Sequence, residues 1–190
     1  LKRKVNQLKA GVVLSYTTMA VEAIIQIAYT PIMLRLLGKS EYGVYNLVAS
    51  VISYLGLLSF GFGSAYMRFY SIRQAKNDSE GVARLNGMFL TIFTIISFIA
   101  LFFGGILTAN TETVFSGGLT NNEIRTAKIL MGIMVFNIAI TFPASVFDSI
   151  VTAHEQYVFQ RTVHLLRIIF NPFLSLPLLL MGYKSISLAI

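Results

Sequence analysis

Apolar residues run in long blocks separated by short charged segments. Residues 11–34 carry one charge, Glu22, and residues 44–67 and 85–107 carry none. Residues 129–151 carry one, Asp148, and residues 163–181 carry Arg167 near their start. A helix that crosses a bilayer needs about 20 mostly apolar residues. Five blocks meet that length, and a sixth begins near residue 186. The pattern predicts an all-α fold, a polytopic transmembrane helix bundle. Polar groups inside such helices are expensive, so each one needs a reason.

Composition narrows the chemistry. The chain is 55% hydrophobic and 12% charged, against roughly 25% charged in soluble domains. Cysteine is absent, which leaves no disulfide, thiolate nucleophile or cysteine-ligated metal. The two histidines, His154 and His164, are too few for a metal site without carboxylate help. No cofactor, metal or catalytic residue is predicted. Lys2-Arg3-Lys4 precedes an apolar block too long for a signal peptide, so that block reads as an uncleaved first helix. The chain starts at Leu1 and stops in an apolar run, and it reads as a fragment of a longer protein.

Lys and Arg set the orientation. Lys2, Arg3, Lys4, Lys9, Arg68, Arg73, Lys76, Arg84, Arg161 and Arg167 lie on one predicted side, ten of fifteen basic residues. Arg35, Lys39, Arg125, Lys128 and Lys184 lie on the other. The bias places the N-terminus and residues 68–84 in the cytoplasm. It also accounts for most of the net charge of +7 without a nucleic-acid partner. The outer loops are read as residues 38–43, 108–123 and 182–185. None holds a soluble domain, so there is no room for a separate catalytic unit.

Polar residues recur at helical spacing on several blocks. The first carries Ser15, Thr18, Glu22, Gln26 and Tyr29, and the fourth Asn137, Thr141, Ser145, Asp148 and Thr152. The second carries Asn46, Ser50, Ser53, Ser64 and Arg68, and the fifth His164, Arg167, Asn171 and Ser175. Steps of three and four put each set on one face. Small residues there can serve helix packing alone. A mid-helix carboxylate costs about 2.5–3.5 kcal/mol on insertion scales. Glu22 is therefore the leading candidate for a functional ionisable group, with Asn137 and Asp148 as companions lining a cavity or coupling an ion. Pro31, Pro143, Pro172 and Pro177 lie in or at the ends of these blocks. Pro143, inside a polar stripe, is the hinge candidate; Pro31 and Pro177 read as static kinks.

Two segments carry a resemblance. Leu36-Leu37-Gly38-Lys39-Ser40-Glu41-Tyr42-Gly43-Val44-Tyr45 resembles the Leu-Leu-Gly-x-x-x-Tyr-Gly-x-Tyr segment of polysaccharide-biosynthesis membrane proteins, the Wzx-type oligosaccharide flippases. Gly61-Phe62-Gly63-Ser64-Ala65-Tyr66-Met67-Arg68-Phe69-Tyr70-Ser71 looks like the Gly-rich helix end of the same family, which runs into an Arg-Phe-Tyr segment. The resemblance implies the fold of multidrug and toxic compound extrusion (MATE) transporters, with this chain as the first six-helix bundle. It implies an undecaprenyl-diphosphate-linked oligosaccharide as substrate, flipped across the bacterial inner membrane for lipopolysaccharide or other surface glycans. Glycosyltransferases and a glycan polymerase would then be partners, besides the membrane lipids. It also implies a cationic cavity for the anionic headgroup. Arg offers phosphate a bidentate fit, and Arg35, Arg68 and Arg167 are the candidates, with Asn171 on the face of Arg167. All three arginines sit near block ends, where long side chains also snorkel to the interface.

Other readings remain open at this level. A cation-coupled exporter of small amphipathic molecules on the same fold would use Glu22 for a proton or sodium. A membrane-embedded glycan polymerase would need several convergent catalytic groups. The longest outer loop offers only Glu112 and Glu123. A structural membrane protein without transport activity is the fourth.

Overall fold

The computed structural model describes residues 7–59, 61–115, 117–179, 181 and 184–189. The basic cluster Lys2, Arg3 and Lys4 lies outside the described residues. The chain forms α1 (Gln7–Gly56), α2 (Phe62–Ala75), α3 (Ser79–Ala109), the single turn α4 (Thr111–Phe115), α5 (Asn121–Ala153) and α6 (Tyr157–Leu178). Short 3-10 turns cover Leu57–Ser59 and Lys184–Leu188.

Among the described residues, three helical runs are long and apolar enough to cross a membrane: Lys9–Ala75, Ser79–Ala109 and Asn121–Ala153. The first joins two blocks that the sequence separates by a loop at residues 38–43. The backbone instead breaks at Gly38 alone, with φ 80° and ψ 163°. That region is open essentially only to glycine, so one residue redirects the chain and helix resumes at once. A second interruption divides the expected helix 44–67. The Leu57–Ser59 turn and Gly61, at φ 83°, stand between α1 and α2. Asn46, Ser50 and Ser53 therefore do not continue onto the face of Ser64 and Arg68. The helical runs pass through Pro31, Pro143, Pro172 and Pro177 without leaving helical geometry.

α6 is long enough to span but is not among the apolar runs. Arg161, His164, Arg167 and Asn171 dilute its hydropathy. Around residue 186, where the sequence suggests that a sixth helix begins, Lys184–Leu188 is a 3-10 turn. The described residues build an all-helical arrangement of five helices and the single turn α4.

α5 is the hub, touching α1, α2, α3, α4 and α6. Two apolar clusters sit on its two halves. Val44, Val48 and Ile52, at steps of four on α1, meet Ala127, Leu130, Met131 and Val135 on α5. Tyr66 and Tyr70 of α2 meet Leu85, Phe89 and Phe93 of α3, with Phe142 and Val146 of α5. In lipid there is little hydrophobic drive between helices, so close packing carries the association. Buried Gly104 of α3 permits a close approach to α5: a Cβ there would lie 2.4 Å from Val135 Cγ1.

Polar groups are tied locally or across helices. The Ser15, Thr18 and Ser50 hydroxyls donate to carbonyls four residues back, a common way to satisfy Ser and Thr in a helix. Ser97 donates across to the Ala139 carbonyl at 2.6 Å. α3 is preceded by Asp78, whose Oδ1 accepts from the Gly81 N–H at 2.8 Å, an N-cap.

Candidate functional site

The stripes of α1, α5 and α6 meet in three adjoining cavities. The first, of about 600 Å³, lies between α5 and α6 and is lined by Thr141, Ser145, Asp148, Gln160, Arg161, His164 and Arg167. The second, of about 230 Å³, lies between α1 and α6 and is lined by Glu22, Gln26, Tyr29, His164, Arg167 and Asn171. The third, of about 350 Å³, is lined by Tyr45, Ser53, Asn137, Thr141 and Ala189. Thr141 belongs to the first and third, and His164 and Arg167 to the first and second. Through these shared residues the three form one groove of mixed lining, in which charged and amide side chains stand among apolar ones such as Ile140, Phe147 and Val151, on helices that also expose Ile24, Ile27, Phe170 and Phe173.

Each side chain reaches the groove by helical register. On α6, Arg161, His164, Arg167 and Asn171 recur at steps of three and four, and ten residues of helix place the ends about 15 Å apart. Asp148 of α5 is held from across the turn: Gln160 Nε2 donates to its Oδ1 at 3.1 Å. Thr152 Oγ1 in turn donates to Gln160 Oε1 at 3.2 Å. Glu22 is half-buried, and Gln26 Nε2 reaches its Oε1 at 3.5 Å. α1 and α6 touch on both sides of the second cavity. Gly11 lies so close to Tyr157 that an added Cβ would come 2.7 Å from the Tyr157 Cβ. At the other end the Tyr29 and Ser175 hydroxyls share a hydrogen bond.

The groove holds two guanidiniums, two carboxylates and one imidazole, so its charged groups are of both signs rather than uniformly cationic. Among the described residues no ion pair joins either arginine to either carboxylate. No cluster of His, Asp and Glu suited to a metal occurs among the described residues.

Of the residues singled out from sequence, Glu22, Asn137, Asp148, Arg167 and Asn171 line the groove. Asn137 is also structural: its Nδ2 donates to the Ala189 carbonyl at 2.5 Å. Arg35 and Arg68 are exposed and line none of the three cavities. Arg161 and Gln160 were not singled out. The signal for Arg161 was present, since it stands three residues before His164 on the same stripe.

One end of the bundle is tied by carboxylates. Ser40 donates to Glu123 Oε1, and the Thr120 N–H donates to its Oε2 at 2.8 Å. These bonds, with one from the Thr120 hydroxyl, hold the Glu123 carboxyl below its ordinary range. Glu41 Oε2 accepts from the Ser185 hydroxyl at 3.3 Å, and Tyr45 donates to the Leu188 carbonyl at 3.4 Å.

Comparison with known proteins gives one distant likeness. A protein of Salmonella typhimurium (strain LT2) named "Putative O-antigen transporter" is 28% identical over 97 residues. The aligned stretch covers 50% of this chain and 23% of that protein, so the chain matches less than a quarter of its relative's length. No family model matches the chain, and no solved structure matches it.

Proposed function

We propose that this chain forms part of a transporter that flips a lipid-linked, undecaprenyl-diphosphate oligosaccharide from the inner to the outer leaflet of a bacterial inner membrane. The observation that carries this reading is the groove on α1, α5 and α6, in which two arginines, two carboxylates and a histidine stand among apolar side chains. Charged groups of this kind are tolerated in a membrane where they meet other helices or water. The distant likeness to a protein named for O-antigen transport points to the same substrate class. Arg161 and Arg167, one to two turns apart beside a cavity of about 600 Å³, suit the two phosphates of the headgroup, because guanidinium binds phosphate as a fork. Arg161 lies in the first turns of α6, on the side that Lys and Arg bias assigns to the cytoplasm, which suits substrate entry, and Arg167 stands at the middle of the helix. The glycan itself would pass along the hydroxyl and amide groups of the groove. Glycosyltransferases and a glycan polymerase would act before and after it.

The test is export of lipid-linked glycan to the outer leaflet, at matched protein levels. The expected order is wild type, then Arg167→Lys, then Arg167→Ala, with Arg161→Ala also reduced. Lys keeps charge but loses the fork. Equal export by all variants would end this assignment. A second reading, a cation-coupled exporter of small amphipathic molecules, is favoured by Glu22 in its own cavity. It predicts that Glu22→Gln abolishes dye extrusion and leaves glycan export intact.

A further inference from the structure

Arg167 lines two cavities, and each contains one carboxylate: Asp148 in the first and Glu22 in the second. Each carboxylate is held by a glutamine amide rather than by a cation. Arg167 therefore stands between two anions of different helices and is paired with neither among the described residues. The two cavities are also offset along α6. The first uses residues 160–167 and the second residues 164–172.

We infer that Arg167 is an exchange cation: it pairs with Asp148 in one conformation of the bundle and with Glu22 in the other. An Arg side chain is long enough to serve both cavities from one Cα. Arg167 and Asp148 are exposed and Glu22 is half-buried, so each pairing is a modest bias between two conformations of similar energy. Pairing with Asp148 draws Arg167 across the α5–α6 cavity and opens the α1–α6 cavity. Pairing with Glu22 does the reverse. His164, which lines both cavities, is the other titratable group facing Arg167 from α6, and Arg161 faces it in the first cavity alone. An anionic headgroup would compete with the carboxylates for Arg167. That last step rests on the flippase reading; the exchange does not.

These 190 residues contain no cysteine, and single reporters can be placed at Ala144, in the first cavity, and Ile25, in the second, with any cysteine elsewhere in the protein replaced. Their rates of reaction with a small thiol reagent would be measured in the protein reconstituted in lipid vesicles. Glu22→Gln leaves only Asp148 as partner, so labelling at residue 144 should slow and labelling at residue 25 should speed up. Asp148→Asn should do the opposite. Each change should be about threefold, the shift that a partly exposed ion pair supports. Both should vanish when Arg167 is also changed to Gln. Changes of the same sign, or changes that persist without Arg167, would overturn the exchange. The pattern appearing while Arg167→Gln exports glycan normally would support the exchange and overturn the flippase reading instead. Loss of export with no opposed labelling pattern would overturn the exchange and leave the flippase reading standing.

Discussion

Gly104→Ala tests whether close approach of α3 and α5 holds the bundle together. The new methyl would lie 2.4 Å from Val135 Cγ1, 2.6 Å from Cγ2 and 3.1 Å from Cβ. Ordinary carbon contacts lie at about 3.5–4.0 Å, so the overlap exceeds what small adjustments absorb. Rotating Val135 does not clear it, because both γ-methyls and the Cβ face Gly104, and a β-branched residue in a helix has one strongly preferred rotamer. The helices must separate, at a cost of about 1–3 kcal/mol. Val135→Ala alone removes packing and should cost about 1–2 kcal/mol. Together the two changes should cost less than their sum by about 1 kcal/mol, since the smaller residue makes room for the methyl. Gly105 supplies the control. A Cβ there meets nothing within 4 Å, so Gly105→Ala should be close to neutral. Unfolding in mixed detergent micelles measures all four. The packing argument fails if Gly105→Ala is as harmful as Gly104→Ala. It also fails if Val135→Ala gives no relief.

Further outcomes follow from other parts of the chain. Gly38→Ala should destabilise by about 1–3 kcal/mol through backbone strain alone, because a Cβ there meets nothing within 4 Å; a melting curve unchanged from wild type would contradict that. The Glu123 carboxyl titrates below its ordinary value, so its contribution is fully present above the unfolded pKa and disappears as pH falls through the folded one. The stability gap between wild type and Glu123→Gln should therefore be constant near neutral pH and shrink under acid, and a gap that widens under acid would refute the assignment. Cysteines at Ser79 and Gly118 should label oppositely with an impermeant thiol reagent in intact cells, with Gly118 outside. Labelling at Ser79 alone would reverse the orientation.

The sequence by itself determined what the lipid demands. Unbroken apolar blocks mark helices, because backbone groups in hydrocarbon must pair within their own segment. Steps of three and four mark faces, because the helix repeats every 3.6 residues, and this was enough to find Glu22, Asp148, Arg167 and Asn171 before any fold was known. Only the tertiary structure decided where the chain breaks. Gly38 and Gly61 turn it at single residues, and nothing in the hydropathy of blocks 11–34 and 44–67 records a left-handed backbone. It also decided which stripes meet. The face of α2 that carries Arg68 lies outside the groove, while Arg161, unremarkable as a terminal basic residue, joins it because α6 packs beside both α1 and α5. A stripe has a direction only relative to its neighbours, and neighbours are set by side-chain packing between residues far apart in the chain, such as Gly104 against Val135 and Tyr29 against Ser175.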